Sequence, residues 1–163
     1  MESLWLELVK NLEKQEDNII QLLNIAREHN RALRQLDAGK LAEIVGREES
    51  VAGIIGRYEK ERKKITDKLA RELSFKKDAV LSQFAEKAPP DIGEKLYSLL
   101  ENMSGSVLEL TGINRLNGDL TRQAMRFNAI ILKTFSPAGK NVYTPQGKKA
   151  DDSPNLSLLD KKV

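Results

Sequence analysis

Residues 5–36 read WLELVKNLEKQEDNIIQLLNIAREHNRALRQL, and the spacing of their apolar side chains decides the fold. Apolar residues recur at alternating intervals of three and four, which is the pattern of a helix that packs along one seam against other helices. Two interleaved series form this seam: Trp5, Leu12, Ile19, Ala26 and Leu33, and Leu8, Gln15, Leu22, His29 and Leu36. The stretch therefore predicts one long helix of a helical bundle.

The same alternation returns twice further along the chain. The second stretch carries it at Leu41, Ile44, Glu48, Val51, Ile55, Tyr58, Arg62, Ile65 and Leu69. The third carries it at Leu96, Leu99, Met103, Ser106, Leu110, Ile113, Asn117, Leu120, Ala124, Phe127 and Ile131. The three stretches predict an all-α, coiled-coil-like bundle, an antiparallel hairpin of two long helices plus a third long helix. Such apolar stripes offer surfaces to other helices and leave little room for a catalytic pocket.

The hairpin follows from the residues that interrupt the pattern. The first helix is predicted over about residues 3–36, with the Ser3 hydroxyl as its cap. Asp37-Ala-Gly39 breaks the pattern, can cap the next helix, and is so short a connection that the two helices must lie antiparallel. The second helix is predicted over about residues 40–73. Residues 75–88 keep helical propensity and either extend this helix to residue 88 or form a short separate one.

Two prolines separate the third helix from what precedes it. Pro89 and Pro90 end any earlier helix, because proline donates no hydrogen bond and restricts the residue before it. The third helix is predicted over residues 91–135, begun by Asp91 with Glu94 as its capping-box partner. Residues 1–135 are thus the helical bundle.

Three glycines lie inside the third predicted helix, Gly105, Gly112 and Gly118. Each costs a helix about 1 kcal/mol relative to alanine, so their presence needs a reason. Either they permit close approach of another helix, or they keep this helix pliable until a partner binds.

Residues 136–163 have a different composition. They hold three of the five prolines, Pro137, Pro145 and Pro154, and show no apolar periodicity. We expect a flexible tail here.

Composition restricts the class of protein. The chain has 163 residues, 31% of them charged, with a net charge of +3 and mixed signs throughout, which indicates a solvated surface and no nucleic-acid partner. The basic residues of segment 58–64 alternate with acidic ones, and we interpret the segment as a solvated helix face.

No cysteine is present, which excludes disulfides and cysteine zinc sites. The sequence shows neither the charged-then-apolar pattern of a signal peptide nor an apolar run long enough to span a membrane. We therefore expect a cytoplasmic protein that does not insert into membranes.

Five polar side chains occupy seam positions: Gln15, His29, Glu48, Arg62 and Asn117. A buried polar group without a partner costs about 1–3 kcal/mol, so each is expected to find a neighbour or to fix the register of the helices. Glu48 and Arg62 are candidates for pairs with the first helix. No nucleophile–base pair, phosphate-binding loop or metal-ligand cluster is present in the sequence, so we expect no enzyme, no cofactor and no metal site.

Several motifs, in order along the chain, resemble the FlgN family of bacterial flagellar export chaperones. They are Asp37-x-x-x-Leu41, Glu48-Glu49, Arg62, Asn114-x-x-Asn117-x-x-Leu120, Gln123-Ala124, Val142-Tyr143-Thr-Pro-Gln146-Gly147 and Ser157-Leu-Leu-Asp-Lys-Lys-Val163. The resemblance covers nearly the whole chain. It implies an all-helical cytoplasmic chaperone that masks an amphipathic C-terminal segment of hook-associated proteins and delivers them to the type III export gate.

The resemblance also implies where partners bind. In the family the last long helix and the tail are the cargo-binding part. The matching cargo residues here are Leu110, Ile113, Asn114, Asn117, Leu120, Ala124 and Phe127. Docking to the cytoplasmic domain of the export-gate membrane protein is expected at Tyr143, Gln146 and Gly147. The alternative is a structural coiled-coil adaptor or oligomeric scaffold without cargo, and self-association through the third helix or the tail stays open.

Overall fold

The structure is a computed structural model that describes residues 1–75 and 79–135, with side chains described up to residue 131. All regular secondary structure in these ranges is helical, which confirms the all-α class. The helices are α1 (Glu2–Gln35), α2 (Ala38–Glu72), α3 (Leu81–Lys87) and α4 (Pro90–Phe135). Two compact units divide the chain, Met1–Ala124 and Met125–Val163. The predicted tail lies outside the described residues.

The turn between α1 and α2 contains the predicted cap. The Asp37 carboxylate accepts a hydrogen bond from the Lys40 backbone N–H at 3.0 Å, so Asp37 caps α2. Leu36 ends α1 in the left-handed region, with φ of 54°, and its side chain is exposed rather than in the seam where the pattern placed it. The prediction that Ser3 caps α1 was wrong. The helix begins at Glu2, and the Ser3 hydroxyl donates to the Glu7 carboxylate instead.

The connection between α2 and α4 holds the separate short helix that the sequence left as one of two alternatives. The Gln83 side-chain oxygen accepts from the Val80 backbone N–H at 2.9 Å and caps the start of α3. The first residue of α4 is Pro90 rather than Asp91, which lies in the first turn. Proline suits this position, since a first-turn N–H has no partner within the helix.

Contacts between α1 and α2 show that these helices run in opposite directions. Asn11 reaches Tyr58 near the start of α1, whereas His29 reaches Glu48 near its end. A cluster of apolar side chains fills the interface towards the turn. Its buried members are Ile25, Ala32, Ile44 and Val51, and its half-buried members are Leu22, Leu41 and Ile55.

The part of α4 that belongs to the first unit follows α1 in the same direction. Lys95 forms an ion pair with Glu13, Glu109 with Arg27, and Asn117 is hydrogen-bonded to Asn30. The α1 helix therefore lies against both α2 and α4. This explains why α1 buries more residues than its predicted seam, including Val9, Asn11, Leu23, Ile25 and Ala32.

All four helices contribute to one buried apolar cluster, which we call the four-helix cluster. Its members are Trp5, Leu8, Val9, Leu12, Leu69, Phe84, Ala85, Leu96 and Leu99. The short helix α3 enters through Phe84, whose ring meets Phe75 edge to face at a centroid distance of 5.1 Å. Close packing of α3 on α4 requires a glycine at position 93, because a Cβ there would lie 2.7 Å from the Ala85 carbonyl oxygen.

The four-helix cluster makes a stability prediction. Leu12 is fully buried, with 0% of its surface exposed, so Leu12→Ala is expected to lower the free energy of unfolding by about 2–5 kcal/mol. Leu6→Ala, on the exposed side of the same helix, is the matched control and should cost less than about 1 kcal/mol. Urea unfolding followed by circular dichroism measures both. Equal losses for the two variants would mean that the cluster is not the core.

Candidate functional site

The predicted seam of α4 faces α1, and its burial weakens along the helix. Leu96 and Leu99 are buried in the four-helix cluster, with 1% and 5% of their surfaces exposed. Further along, Leu110 and Ile113 are only half-buried. Each of them is thus more exposed than the α1 seam residues Leu12 and Ile19, which are buried. This stretch of α4 is less tightly packed than its beginning.

Asn117 is the exception in this stretch, because it is buried and is hydrogen-bonded through both its side-chain nitrogen and its oxygen. Its side-chain nitrogen donates to the Ala26 carbonyl at 3.0 Å, and its oxygen accepts from the Asn30 side chain at 2.9 Å. Asn30 accepts in turn from Arg34 at 2.8 Å. A buried amide that bonds specific partners on another helix fixes the relative register of the two helices. We call this group the asparagine contact.

The other predicted cargo residues fall into two groups. Leu120 and Ala124 are half-buried, like Leu110 and Ile113, whereas Asn114 and Phe127 are exposed. Six of the seven lie in the first unit and Phe127 in the second. The six do not share one open face, because Asn117 points into the bundle. The predicted gate-docking residues Tyr143, Gln146 and Gly147 lie outside the described residues.

Several large apolar residues of α4 outside its predicted seam are exposed. In the first unit they are Tyr97, Val107, Leu108 and Leu116, and in the second they are Met125 and Ile130; the seam residues Phe127 and Ile131 are exposed as well. Leu108 has 76% of its surface exposed and Phe127 58%. Most of these residues fall between the seam positions. A search for apolar residues off the seam would have marked them as candidates, but their exposure follows only from the packing of the helices.

The three glycines in the middle of α4 differ from Gly93, because no backbone packs closely against them within the bundle. Among the described residues, a Cβ added at Gly105 or Gly112 would meet no atom within 4 Å, and one at Gly118 would meet only the guanidinium end of Arg122. No helix of the described bundle therefore approaches Gly105 or Gly112 closely. These glycines therefore lower the helical stability of α4 and gain no compensating contact within the bundle.

The remaining polar seam residues have partners. His29 Nδ1 lies 3.0 Å from both carboxylate oxygens of Glu48, and its N–H donates to that carboxylate. Glu48 therefore pairs with α1, as the sequence indicated. Gln15 is buried and donates to Asn11 on its own helix at 2.7 Å. Arg62 does not reach α1. It forms an ion pair with Glu59 on α2, and its guanidinium lowers the pKa of that carboxyl.

No metal-ligand cluster is found among residues 1–75 and 79–135, where three or more acidic or histidine side chains would have to meet. In the same part of the chain, no helix is both long enough and apolar enough to span a membrane. The described residues present helical surfaces with exposed apolar side chains, and surfaces of this kind can bind helices of other proteins.

Comparison with known proteins gives the family. Residues 1–151 match the family described as FlgN protein, so the chain belongs to the FlgN family, as the motifs predicted. This is a chaperone family of flagellum biogenesis and type III protein export whose members bind flagellar proteins, not a family of enzymes. The chain is also similar to the uncharacterized protein YvyG of Bacillus subtilis (strain 168). The two are 27% identical over 144 residues, which cover 87% of this chain and 88% of YvyG. No solved structure matches.

The open space around the α4 glycines makes a second prediction. Gly105→Ala and Gly112→Ala should each raise the free energy of unfolding by up to about 1 kcal/mol, because alanine favours the helix and meets no neighbour. Gly93→Ala is the matched control and should be destabilising, since its methyl group would collide with the Ala85 carbonyl. Chemical unfolding curves compare the three variants. A loss of stability in Gly105→Ala or Gly112→Ala would show that these glycines do serve packing.

Proposed function

We propose that this chain is a cytoplasmic export chaperone for hook-associated proteins of the flagellar hook–filament junction. It binds amphipathic helical segments at the C-terminal end of these proteins and delivers them to the type III export gate. Membership of the FlgN family over residues 1–151 is the observation that carries the proposal. The exposed apolar residues of α4 support it, because large exposed apolar side chains often mark protein-binding surfaces.

The proposed cargo surface is α4 beyond the four-helix cluster. Its half-buried seam residues Leu110, Ile113, Leu120 and Ala124 hold α4 in the bundle and present their remaining surface to cargo. The exposed side chains Leu108, Asn114 and Phe127 contact cargo directly. Asn117 takes part by keeping α4 in register on α1, which positions its neighbours. Recognition is of one helix by another, through apolar residues spaced three and four apart.

The cargo surface is tested by charge substitutions at exposed positions. Leu108→Glu and Phe127→Asp should each weaken binding of a synthetic C-terminal segment of a hook-associated protein by at least about tenfold, because a charge is buried against apolar cargo. Isothermal titration calorimetry measures the affinity. Both side chains are exposed, so the variants should melt like the wild type.

The matched control is Leu6→Glu, which places the same charge on an exposed leucine of α1. It should leave cargo affinity unchanged. Wild-type affinity in both α4 variants, with their fold intact, would remove α4 as the cargo surface. The same titration, run alongside light scattering, addresses the scaffold alternative, which requires self-association and no cargo binding.

Export-gate docking is proposed at Tyr143, with Gln146 and Gly147 beside it. A tyrosine combines a large apolar ring with one hydroxyl donor, which suits a transient docking contact. Tyr143→Ala should leave stability and cargo binding unchanged, yet reduce capture of the chaperone–cargo complex by the cytoplasmic domain of the export gate. Calorimetry with cargo present measures this step. Undiminished gate binding by the variant would refute the role, and loss of cargo binding would move Tyr143 into the cargo site.

A further inference from the structure

A basic groove runs between the first half of α1 and the second half of α2. Four lysines line it, two from each helix, together with two glutamates and three uncharged residues. The lining consists of Lys10, Lys14, Lys64, Lys68, Glu7, Glu61, Asn11, Tyr58 and Ile65. The sequence indicated only a solvated helix face on residues 58–64. It gave no sign that Lys10 and Lys14 of α1 join the lysines of α2.

Further cations extend the groove along α2. Three more exposed cations lie on α2: Arg57, Lys60 and Arg71. With Lys64 and Lys68 they follow one another at intervals of three or four residues, which places all five on the same side of the helix. Together with the groove lysines they form a stripe of positive charge at helical spacing, interrupted by Glu61 and flanked by Asp67. We call the groove and this stripe the basic surface.

The cations of the basic surface take part in no ion pair with the described residues. Elsewhere in the same part of the chain, five cations have carboxylate partners, namely Arg27 with Glu109, Arg47 with Glu28, Arg62 with Glu59, Lys95 with Glu13 and Arg122 with Asp119. Other unpaired cations are scattered over the helices, whereas those of the basic surface share one side of α2 and the facing wall of α1. Unpaired like charges repel one another, so their concentration does not stabilise the fold. A set of unpaired cations at regular spacing is a surface for an anionic partner.

The walls of the groove are fixed relative to each other. Asn11, from the α1 wall, donates its side-chain N–H to the Tyr58 carbonyl at 3.2 Å, and Gln15 donates to Asn11 at 2.7 Å. Both side chains are buried. The Lys14 ammonium lies 5.6 Å from the centre of the Tyr58 ring, within the range of a cation–π contact. The groove is thus preorganised, which lowers the cost of binding.

We propose that the basic surface binds an acidic amphipathic helix of a partner protein. The partner's carboxylates would stand at every third or fourth position, opposite the cations of α2. An apolar side chain of the partner would reach Tyr58 and Ile65 in the groove. Complementary charge at this spacing fixes the register of the partner and speeds its association more than it adds affinity.

The composition of the surface favours such a helix over other anionic partners. A uniformly anionic polymer such as DNA would meet Glu7 and Glu61 inside the groove. A membrane surface would require apolar anchors, but no large apolar side chain from residue 46 to residue 75 is among the exposed ones. The chain's own residues 136–163 do not match by charge, because they contain five lysines and three aspartates.

The test uses two fluorescein-labelled synthetic helical peptides that differ only in charge. One carries glutamates at every third or fourth position of one face with a single leucine, and the other carries lysines at the same positions. Fluorescence anisotropy is measured at about 0.15 M salt, where charges farther apart than about 8 Å are screened. The acidic peptide should bind the wild type, and Lys64→Glu with Lys68→Glu should weaken that binding at least about tenfold. The lysine peptide should bind only this charge-reversed variant.

The matched control is Arg31→Glu with Lys40→Glu, which changes the net charge by the same amount at exposed residues outside the basic surface and outside α4. It should stay within about twofold of the wild type, since distant charges are screened. Equal losses of acidic-peptide affinity in both double variants would overturn the proposal, because binding would then depend on the net charge of the protein and not on the basic surface. Failure of the acidic peptide to bind would also overturn it. A third result would overturn it as well: vesicles of phosphatidylglycerol or double-stranded DNA bind more tightly than the acidic peptide, and Lys64→Glu with Lys68→Glu abolishes that binding.

Discussion

Trp5, Leu8 and Leu12 meet residues of the three other helices in a cluster that is closed to solvent and that joins all four helices of the first unit. Burial of large apolar side chains is the dominant favourable contribution to folding, at about 25 cal/mol per Å² of apolar surface. The cluster joins residues that are far apart in sequence, from Trp5 to Leu99, so it also determines the path of the chain between α2 and α4. Phe84 makes α3 part of this core, and Gly93 lets α4 approach it.

Away from the four-helix cluster, α4 is held by progressively less apolar contact. Leu96 and Leu99 are buried, Leu110 and Ile113 are half-buried, and the asparagine contact provides the next buried tie to α1. A polar contact adds about 1 kcal/mol of stability, much less than a fully buried leucine, but it accepts only one register. Glycines without packing neighbours weaken the same stretch. Segments with few buried contacts open more readily than the core, and partner binding commonly uses such segments.

The sequence predicted the helices and most of the core, because heptad spacing depends on the same geometry that buries the side chains. Asp37 was identified as a cap for the same reason, since its role depends on neighbours within four residues. Ser3 was predicted as a cap and is not one, because a cap requires a backbone position that sequence does not specify. Leu36 left the seam because it ends α1 in the left-handed region. The second buried side of α1 was also missed, since the heptad pattern describes one seam and α1 has two neighbours.

The candidate surfaces were harder to predict, because they depend on which residues the bundle leaves open. Leu108 is apolar and off the seam, yet its exposure follows only from the position of α1 beside α4. The same holds for Lys10 and Lys14, which become part of a groove only when α2 lies beside them. Prediction of the charged and apolar surfaces therefore requires knowledge of how the helices pack, whereas most core residues follow from their spacing along the sequence.

The two polar contacts of α1 separate these surfaces physically. Asn11 and Gln15 stabilise the groove against α2, whereas Ala26 and Asn30 hold α4 through Asn117. The two sets lie about 22 Å apart along the helix at 1.5 Å per residue. Changes at sites this far apart, with no shared partner, usually act independently. Loosening the middle of α4 would therefore leave the Asn11 contact and the groove in place. The four-helix cluster, which contains residues of every helix, connects the helices that carry the two proposed surfaces.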